Sequence, residues 1–205
     1  MTTISIIGAG NMAAALGARS AAHGHTVEII SRNTGKAQAL ADQIGHGTTV
    51  GSFGARPAGD IVIVAILFAD AVDVVAQFGD ALAGKILVDI TNPFNADGSG
   101  VVTTEGNSIA QQIAAVAPDS ARVIKAFNGL FQGVIDADKP VDVFFAGGDA
   151  ESRALFGAFV DSLGMRARDA GGLETTYAIE WASIVLMGLA RNGAGFGIAL
   201  SAESI

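Results

Sequence analysis

Near the start of the chain a β-branched run, Ile4-Ser5-Ile6-Ile7, passes directly into Gly8-Ala9-Gly10-Asn11-Met12-Ala13 and then into an alanine-rich stretch with helical spacing. This order of strand, glycine turn and helix constrains the fold more than any other feature. Its spacing is G-x-G-x-x-G/A. Gly8 permits a tight turn, Gly10 leaves the backbone open to close approach by an anionic group, and Ala13 is small enough for the helix to pack on the strand. The helix N-terminus adds unpaired N–H groups and the positive end of a dipole. Together these predict a dinucleotide site at the first turn.

The rest of the chain repeats the same unit. Largely apolar, β-branched runs recur at Ile4 to Ile7, Val27 to Ile30, Ile61 to Ile66, Ile86 to Ile90, Val123 to Ala126 and Val141 to Ala146. They read as strands covered on both faces. Between them, Asn11 to His23, Thr34 to Ile44, Ala69 to Phe78, Ser108 to Ala117 and Ala150 to Leu163 carry apolar positions three and four apart. Gly24 and Pro118 supply stop signals for the first and fourth of these helices. The expected fold is α/β: a Rossmann, doubly wound, mostly parallel sheet with a C-terminal helical element. A long apolar helix from Leu173 to about Ala190 marks the change, so the expected division is a dinucleotide-binding domain over 1–170 and a helical element over 171–205, forming part of a substrate cleft or a dimer contact.

Composition narrows the function. The chain has 205 residues, 12 Lys+Arg against 20 Asp+Glu, a net charge of -8 and no cysteine. Without cysteine there is no disulfide framework, thiolate nucleophile or Cys-ligated metal, and no metal site is expected. The basic residues are scattered on an acidic chain, which disfavours nucleic acid. No basic leader precedes the first strand, and the longest apolar stretch, Ile61 to Ala69, falls far below the roughly 18 residues of a membrane helix. A cytoplasmic protein without a membrane span is expected.

At the end of the second strand an acid would grip the ribose 2′-hydroxyl of NAD, but this chain has Ser31-Arg32, with Lys36 one turn into the next helix. A hydroxyl and two cations suit a 2′-phosphate, so NADP is preferred to NAD. The bland alternative is that Ser31 or Asn33 caps the helix and Arg32 is simply solvated. The loops at the carboxyl ends of the later strands read Leu67-Phe68, Thr91-Asn92-Pro93-Phe94-Asn95, Phe127-Asn128 and Gly147-Gly148. They are apolar and amide-rich, which suits hydride transfer, where the cofactor supplies the chemistry and the protein supplies orientation and a dry pocket. No catalytic acid–base residue is assigned. His23, His25 and His46 fall at the opposite edge of the sheet, and Glu174 and Glu180, six apart, do not make a carboxylate pair. Lys125, Phe127 and Asn128 are expected in the substrate pocket, Lys125 as an anchor for an anionic substrate or as a strand-end lysine. The stripe of Trp181, Ile184, Val185 and Met187 reads first as helix packing or a homodimer face, with Met187 a further pocket candidate.

With the glycine loop, Ser31-Arg32, Asp89-Ile90-Thr91-Asn92-Pro93-Phe94-Asn95, Lys125-Ala126-Phe127-Asn128 and Asp169-Ala170-Gly171-Gly172-Leu173, the chain resembles the NADPH-dependent 8-hydroxy-5-deazaflavin reductases, the coenzyme F420 oxidoreductases and their bacterial dinucleotide-binding relatives. The resemblance implies direct hydride transfer between nicotinamide and deazaflavin in one cleft. It places Gly8, Gly10, Asn11 and Met12 on the pyrophosphate, Ser31, Arg32 and Lys36 on the 2′-phosphate, and Ile66, Leu67, Phe68, Asn92 and Pro93 at the nicotinamide ribose. The opening also resembles pyrroline-5-carboxylate reductase, a family with a larger helical domain than the residues after 170 supply. The alternatives in function are a ferric or free-flavin reductase and a non-catalytic NADPH sensor.

Overall fold

The structure is a computed structural model and describes residues 1–203, so positions 204–205 of the expected C-terminal element lie outside the described residues. The elements run β1 (Thr3–Ile7), α1 (Asn11–Ala22), β2 (Thr26–Ile30), α2 (Thr34–Ile44), β3 (Thr49–Gly51), β4 (Ile61–Val64), α3 (Phe68–Phe78), β5 (Ile86–Asp89), α4 (Ile109–Val116), β6 (Arg122–Lys125), α5 (Gln132–Asp136), β7 (Asp142–Gly147), α6 (Ala150–Ser162), β8 (Arg166–Asp169) and α7 (Thr176–Leu189).

The strands form one sheet in the order β3-β2-β1-β4-β5-β6-β7-β8. All neighbours are parallel except β6 and β7. The first six strands therefore have the doubly wound order, with the topological switch between β1 and β4. Alternating side chains divide the core between the two faces. Ile4, Ile6, Ile29, Ile61 and Ile63 pack with α1, α2, α5 and α6 residues such as Leu16, Leu40, Ile135 and Phe156. Ile7, Ile30, Val62 and Val64 pack with Val74 and Val75 of α3 and Ile109 and Ile113 of α4.

Local chemistry sets the helix boundaries. Asn33 Oδ1 accepts the Lys36 N–H at 3.0 Å and starts α2. Ser108 with Gln111 and Asp149 with Ser152 form reciprocal caps at the starts of α4 and α6, each satisfying two otherwise orphaned donors. Two strands and one helix lie outside the sequence expectation. β3 is three residues long, β8 reads Arg-Ala-Arg-Asp, and α5 is a single short turn of helix. β3 and β8 are the two sheet edges, where solvent on one side removes the need for a continuous apolar run.

Candidate functional site

A cleft of about 690 Å³ opens at the carboxyl ends of β1, β2, β4 and β5. This is the crevice that the switch between β1 and β4 creates. Gly8, Gly10, Asn11, Met12, Ser31, Arg32, Lys36, Ile66, Leu67, Phe68 and Asn92 all line it. Pro93, grouped with them on sequence, is instead buried behind Asn92, where its carbonyl accepts the Val102 N–H at 2.8 Å. Its fixed ring shapes the loop rather than the wall of the cleft.

The two glycines of the turn have different reasons to be glycine. Gly8 has φ +133°, and a Cβ there would clash with the Ala65 carbonyl oxygen of the adjoining β4 turn. The fold itself requires glycine at position 8. Gly10 has φ -99° and ψ -172°, backbone that any residue adopts, and a Cβ on it would meet no atom within 4 Å. Glycine at position 10 therefore keeps open space in the cleft, beside a helix start with no side-chain cap and no acid in its first turn. That cradle fits the pyrophosphate of a dinucleotide, whose charge would meet the free N–H groups of α1.

At the other end of the cleft Arg32 and Lys36 are the lining cations and Asp70, in the first turn of α3, is the lining carboxylate. Ser31 Oγ accepts the Asn33 N–H at 3.2 Å. Asn33 is thus the helix cap, while Arg32 stays exposed with its Cζ 5.3 Å from the centre of the Phe53 ring. Phe53 was not among the sequence candidates, because it follows an edge strand too short and polar to stand out.

The wall formed by Ile66, Leu67, Phe68, Ile90, Thr91 and Asn92 carries no titratable group. Asn92 is fixed from behind: its Nδ2 donates to the Asn128 carbonyl at 2.8 Å, and Asn128 Nδ2 donates to Asn92 Oδ1 at 3.3 Å and to the Ile179 carbonyl at 3.1 Å.

The structure moves the expected substrate-pocket residues away from this cleft. Lys125 is wholly buried, donating from Nζ to Asp89 Oδ2 at 2.8 Å and to the Thr91 carbonyl, with Glu180 Oε1 3.5 Å away. It cannot reach a substrate, because its strand position turns the side chain into the protein. Phe127 is 1% exposed and packs edge-on against Phe156 with ring centres 5.8 Å apart. Asn128 is buried and hydrogen-bonded to Asn92, and Met187 is half-buried on α7 outside the cleft lining. Glu180, set aside on sequence, is fully buried and accepts from Thr103 Oγ1 and from the Ile109 N–H at 2.9 Å. The available signal was a lone acid within an apolar helix, which folds only with partners. His23 and His25 lie where expected, at the opposite edge: His23 Nε2 is 3.0 Å from Asp138, and His25 bridges the Thr2 N–H and Ser162 Oγ. Among the described residues no cluster of His, Asp and Glu could hold a metal ion, and no helix is long and apolar enough to cross a membrane.

Fold and cleft together define an α/β dinucleotide-binding protein of the Rossmann class. Residues 3–93 match the family "NADP oxidoreductase coenzyme F420-dependent". The chain is 31% identical over 140 residues to the F420-dependent NADP reductase of Methanocaldococcus jannaschii, covering 64% of this chain and 62% of that protein. It is 26% identical over 180 residues to the metalloreductase STEAP3 of Rattus norvegicus, covering 86% of this chain and 35% of that protein. The chain thus spans only part of the length of both relatives. Among solved structures, a protein from Arthrobacter sp. FB24 described as an F420-dependent NADP-reductase shares the fold, with a TM-score of 0.84, 22% identity, and coverage of 98% of this chain and 100% of that one.

Proposed function

We propose that this chain is an NADP-dependent oxidoreductase that passes hydride directly between nicotinamide and a deazaflavin-type acceptor, without an obligatory acid–base side chain. The observation that carries this reading is the open cradle above Gly10, continuous with Arg32 and Lys36 at one end and an uncharged wall at the other. Gly8, Gly10, Asn11 and Met12 would hold the pyrophosphate, Ser31, Arg32 and Lys36 the 2′-phosphate, and Ile66, Leu67, Phe68 and Asn92 the nicotinamide ribose. When bound, NADPH supplies the hydride. The work left to the protein is orientation and exclusion of water. Asn92, held by Asn128, orients, and Leu67 and Phe68 shield the reacting face. The deazaflavin acceptor rests on the name of the Methanocaldococcus relative and of the matching family.

Calorimetric titration with NADPH and NADH, followed by deazaflavin and then free flavin, tests the reading. NADPH-selective binding with bleaching of the deazaflavin absorbance is expected. The metalloreductase relative, matched over 86% of this chain, motivates a second reading, reduction of free flavin or ferric ion. Turnover with those acceptors and none with deazaflavin would favour it, whereas NADPH binding without turnover on any acceptor would leave a sensor.

The same proposal treats 1–170 as the cofactor unit and 171–205 as the helical element, in a cytoplasmic homodimer. Trp181, Val185 and Leu189, at 41%, 58% and 49% exposure, share one uncharged face of α7 suited to a second copy. A monomer in light scattering at working concentration would refute the dimer.

A further inference from the structure

Arg32 does not hang free in solvent beside the cleft. Its Cζ stands 5.3 Å from the centre of the Phe53 ring, and its Nη2 makes a long 3.4 Å contact with Gln77 Oε1. Phe53 is itself anchored, its ring edge-on to that of Phe78 with centres 4.9 Å apart and planes at 68°. Three elements thus converge on one guanidinium: the turn after β2, the segment after β3 and the last turn of α3. An aromatic face attracts a guanidinium and fits its plane, and one contact to Gln77 uses only one of its five N–H donors. The remaining donors stay available in the cleft, which Arg32 and Phe53 both line.

We propose that Phe53, with Gln77, is a positioning device for Arg32 and thereby determines selectivity for the 2′-phosphorylated cofactor. The inference rests on the reading of Arg32 as the 2′-phosphate contact and assigns a new role to Phe53. An unrestrained arginine loses much rotamer freedom when it grips a ligand, and a side chain already held in place loses less. NADH, lacking the phosphate, gains nothing from a positioned Arg32. Phe53 should therefore affect one cofactor and not the other, although it contacts neither cofactor's distinguishing group directly.

The test is calorimetric titration of the full chain with NADPH and NADH for Phe53→Leu, Phe53→Tyr, Arg32→Ala and the double variant Arg32→Ala/Phe53→Leu. Leucine keeps the apolar packing on Phe78 while removing the aromatic face, so the protein stays folded. Phe53→Leu is expected to raise the NADPH dissociation constant about three- to tenfold with less than a twofold change for NADH, and Phe53→Tyr to match the wild type. In the Arg32→Ala background the leucine substitution should have no further effect on NADPH, since Phe53 acts through Arg32. Equal weakening of both cofactors, or an undiminished effect without Arg32, would make Phe53 a plain wall of the cleft and overturn the inference. Wild-type protein that binds NADPH no more tightly than NADH would overturn the cofactor reading with it, whereas a selective wild type with an unmoved ratio in Phe53→Leu would overturn this inference alone.

Discussion

Lys125 Nζ lies 2.8 Å from Asp89 Oδ2 with both side chains wholly out of solvent, on adjacent parallel strands in direct register. Glu180, also fully buried, approaches the same ammonium from α7 at 3.5 Å. The cluster continues outward through Thr91, whose carbonyl accepts from Lys125 and which lines the cleft next to Asn92. One buried cation therefore joins the sheet, the loop that walls the cleft and the C-terminal helix.

Removing that cation should be severe. Lys125→Met leaves the Asp89 and Glu180 carboxylates without their counter-charge in a site closed to water. Breaking a buried ion pair on one side typically destabilises by about 3–5 kcal/mol. Urea denaturation should show a loss of that size, and a loss below about 1 kcal/mol would mean that the cluster is not what holds α7 in place.

The two glycines of the turn should separate stability from binding. Gly8→Ala places a methyl against the Ala65 carbonyl in a backbone conformation with φ +133°, and should destabilise the fold by about 2–4 kcal/mol. In Gly10→Val the added Cβ meets no protein atom within 4 Å, so the substitution should cost under about 1 kcal/mol of stability, yet it fills the cradle and should abolish NADPH binding. Thermal melts and titrations on the two variants check this, and normal NADPH binding by folded Gly10→Val would remove the cradle from the site.

Arg32→Ala should weaken NADPH by about 1.5–3 kcal/mol and leave NADH nearly unchanged. Lys36, lining the same end of the cleft, should retain part of the preference. Equal losses for both cofactors in parallel titrations would show that Arg32 does not read the 2′-phosphate.

Asp142 ties the C-terminal segment to β7 and β8 at one side of the sheet and should give the protein an acid-sensitive end. Burial opposes ionisation of its carboxyl, but the Ala202 N–H at 2.7 Å and the Arg168 and Arg166 side chains outweigh it and hold the pKa at about 2, against an ordinary 3.8. Because the folded value is the lower one, this stabilisation is complete above about pH 4 and is lost as the pH falls through about 4 to 2. It amounts to about 2 kcal/mol. Denaturation between pH 5 and 2 should show a stability slope that Asp142→Asn flattens, with the Ala202 amide losing exchange protection over the same range. An unchanged slope in the variant would remove Asp142 as the source.

The parts of the molecule legible in the sequence are those where local chemistry has a single outlet. The apolar runs of β1, β2, β4, β5 and β6 admit few folds other than a covered parallel sheet, and Asn33, Ser108 and Asp149 mark helix starts by bonding their own neighbours. β7 was legible as a strand but not in its direction, since an apolar run reads alike parallel or antiparallel. β3 and β8 escaped because an edge strand needs no apolar alternation. Lys125 was misplaced for a different reason. Its position at the carboxyl end of β6 is right for a substrate anchor, but which face it takes follows from the pleat, and its partners come from 36 and 55 positions away in sequence.

By itself the sequence determined the glycine turn, the doubly wound order of sheet and helices and the cationic end of the cleft, because each follows from short-range sterics, periodicity or the charge of adjacent residues. The tertiary structure alone decided that Gly10 faces open space while Gly8 meets Ala65, that Phe53 lies under Arg32, and that Lys125 and Glu180 are buried together. Those relations depend on which distant segments share a few ångströms, and register and packing between elements set that proximity after the elements themselves have formed.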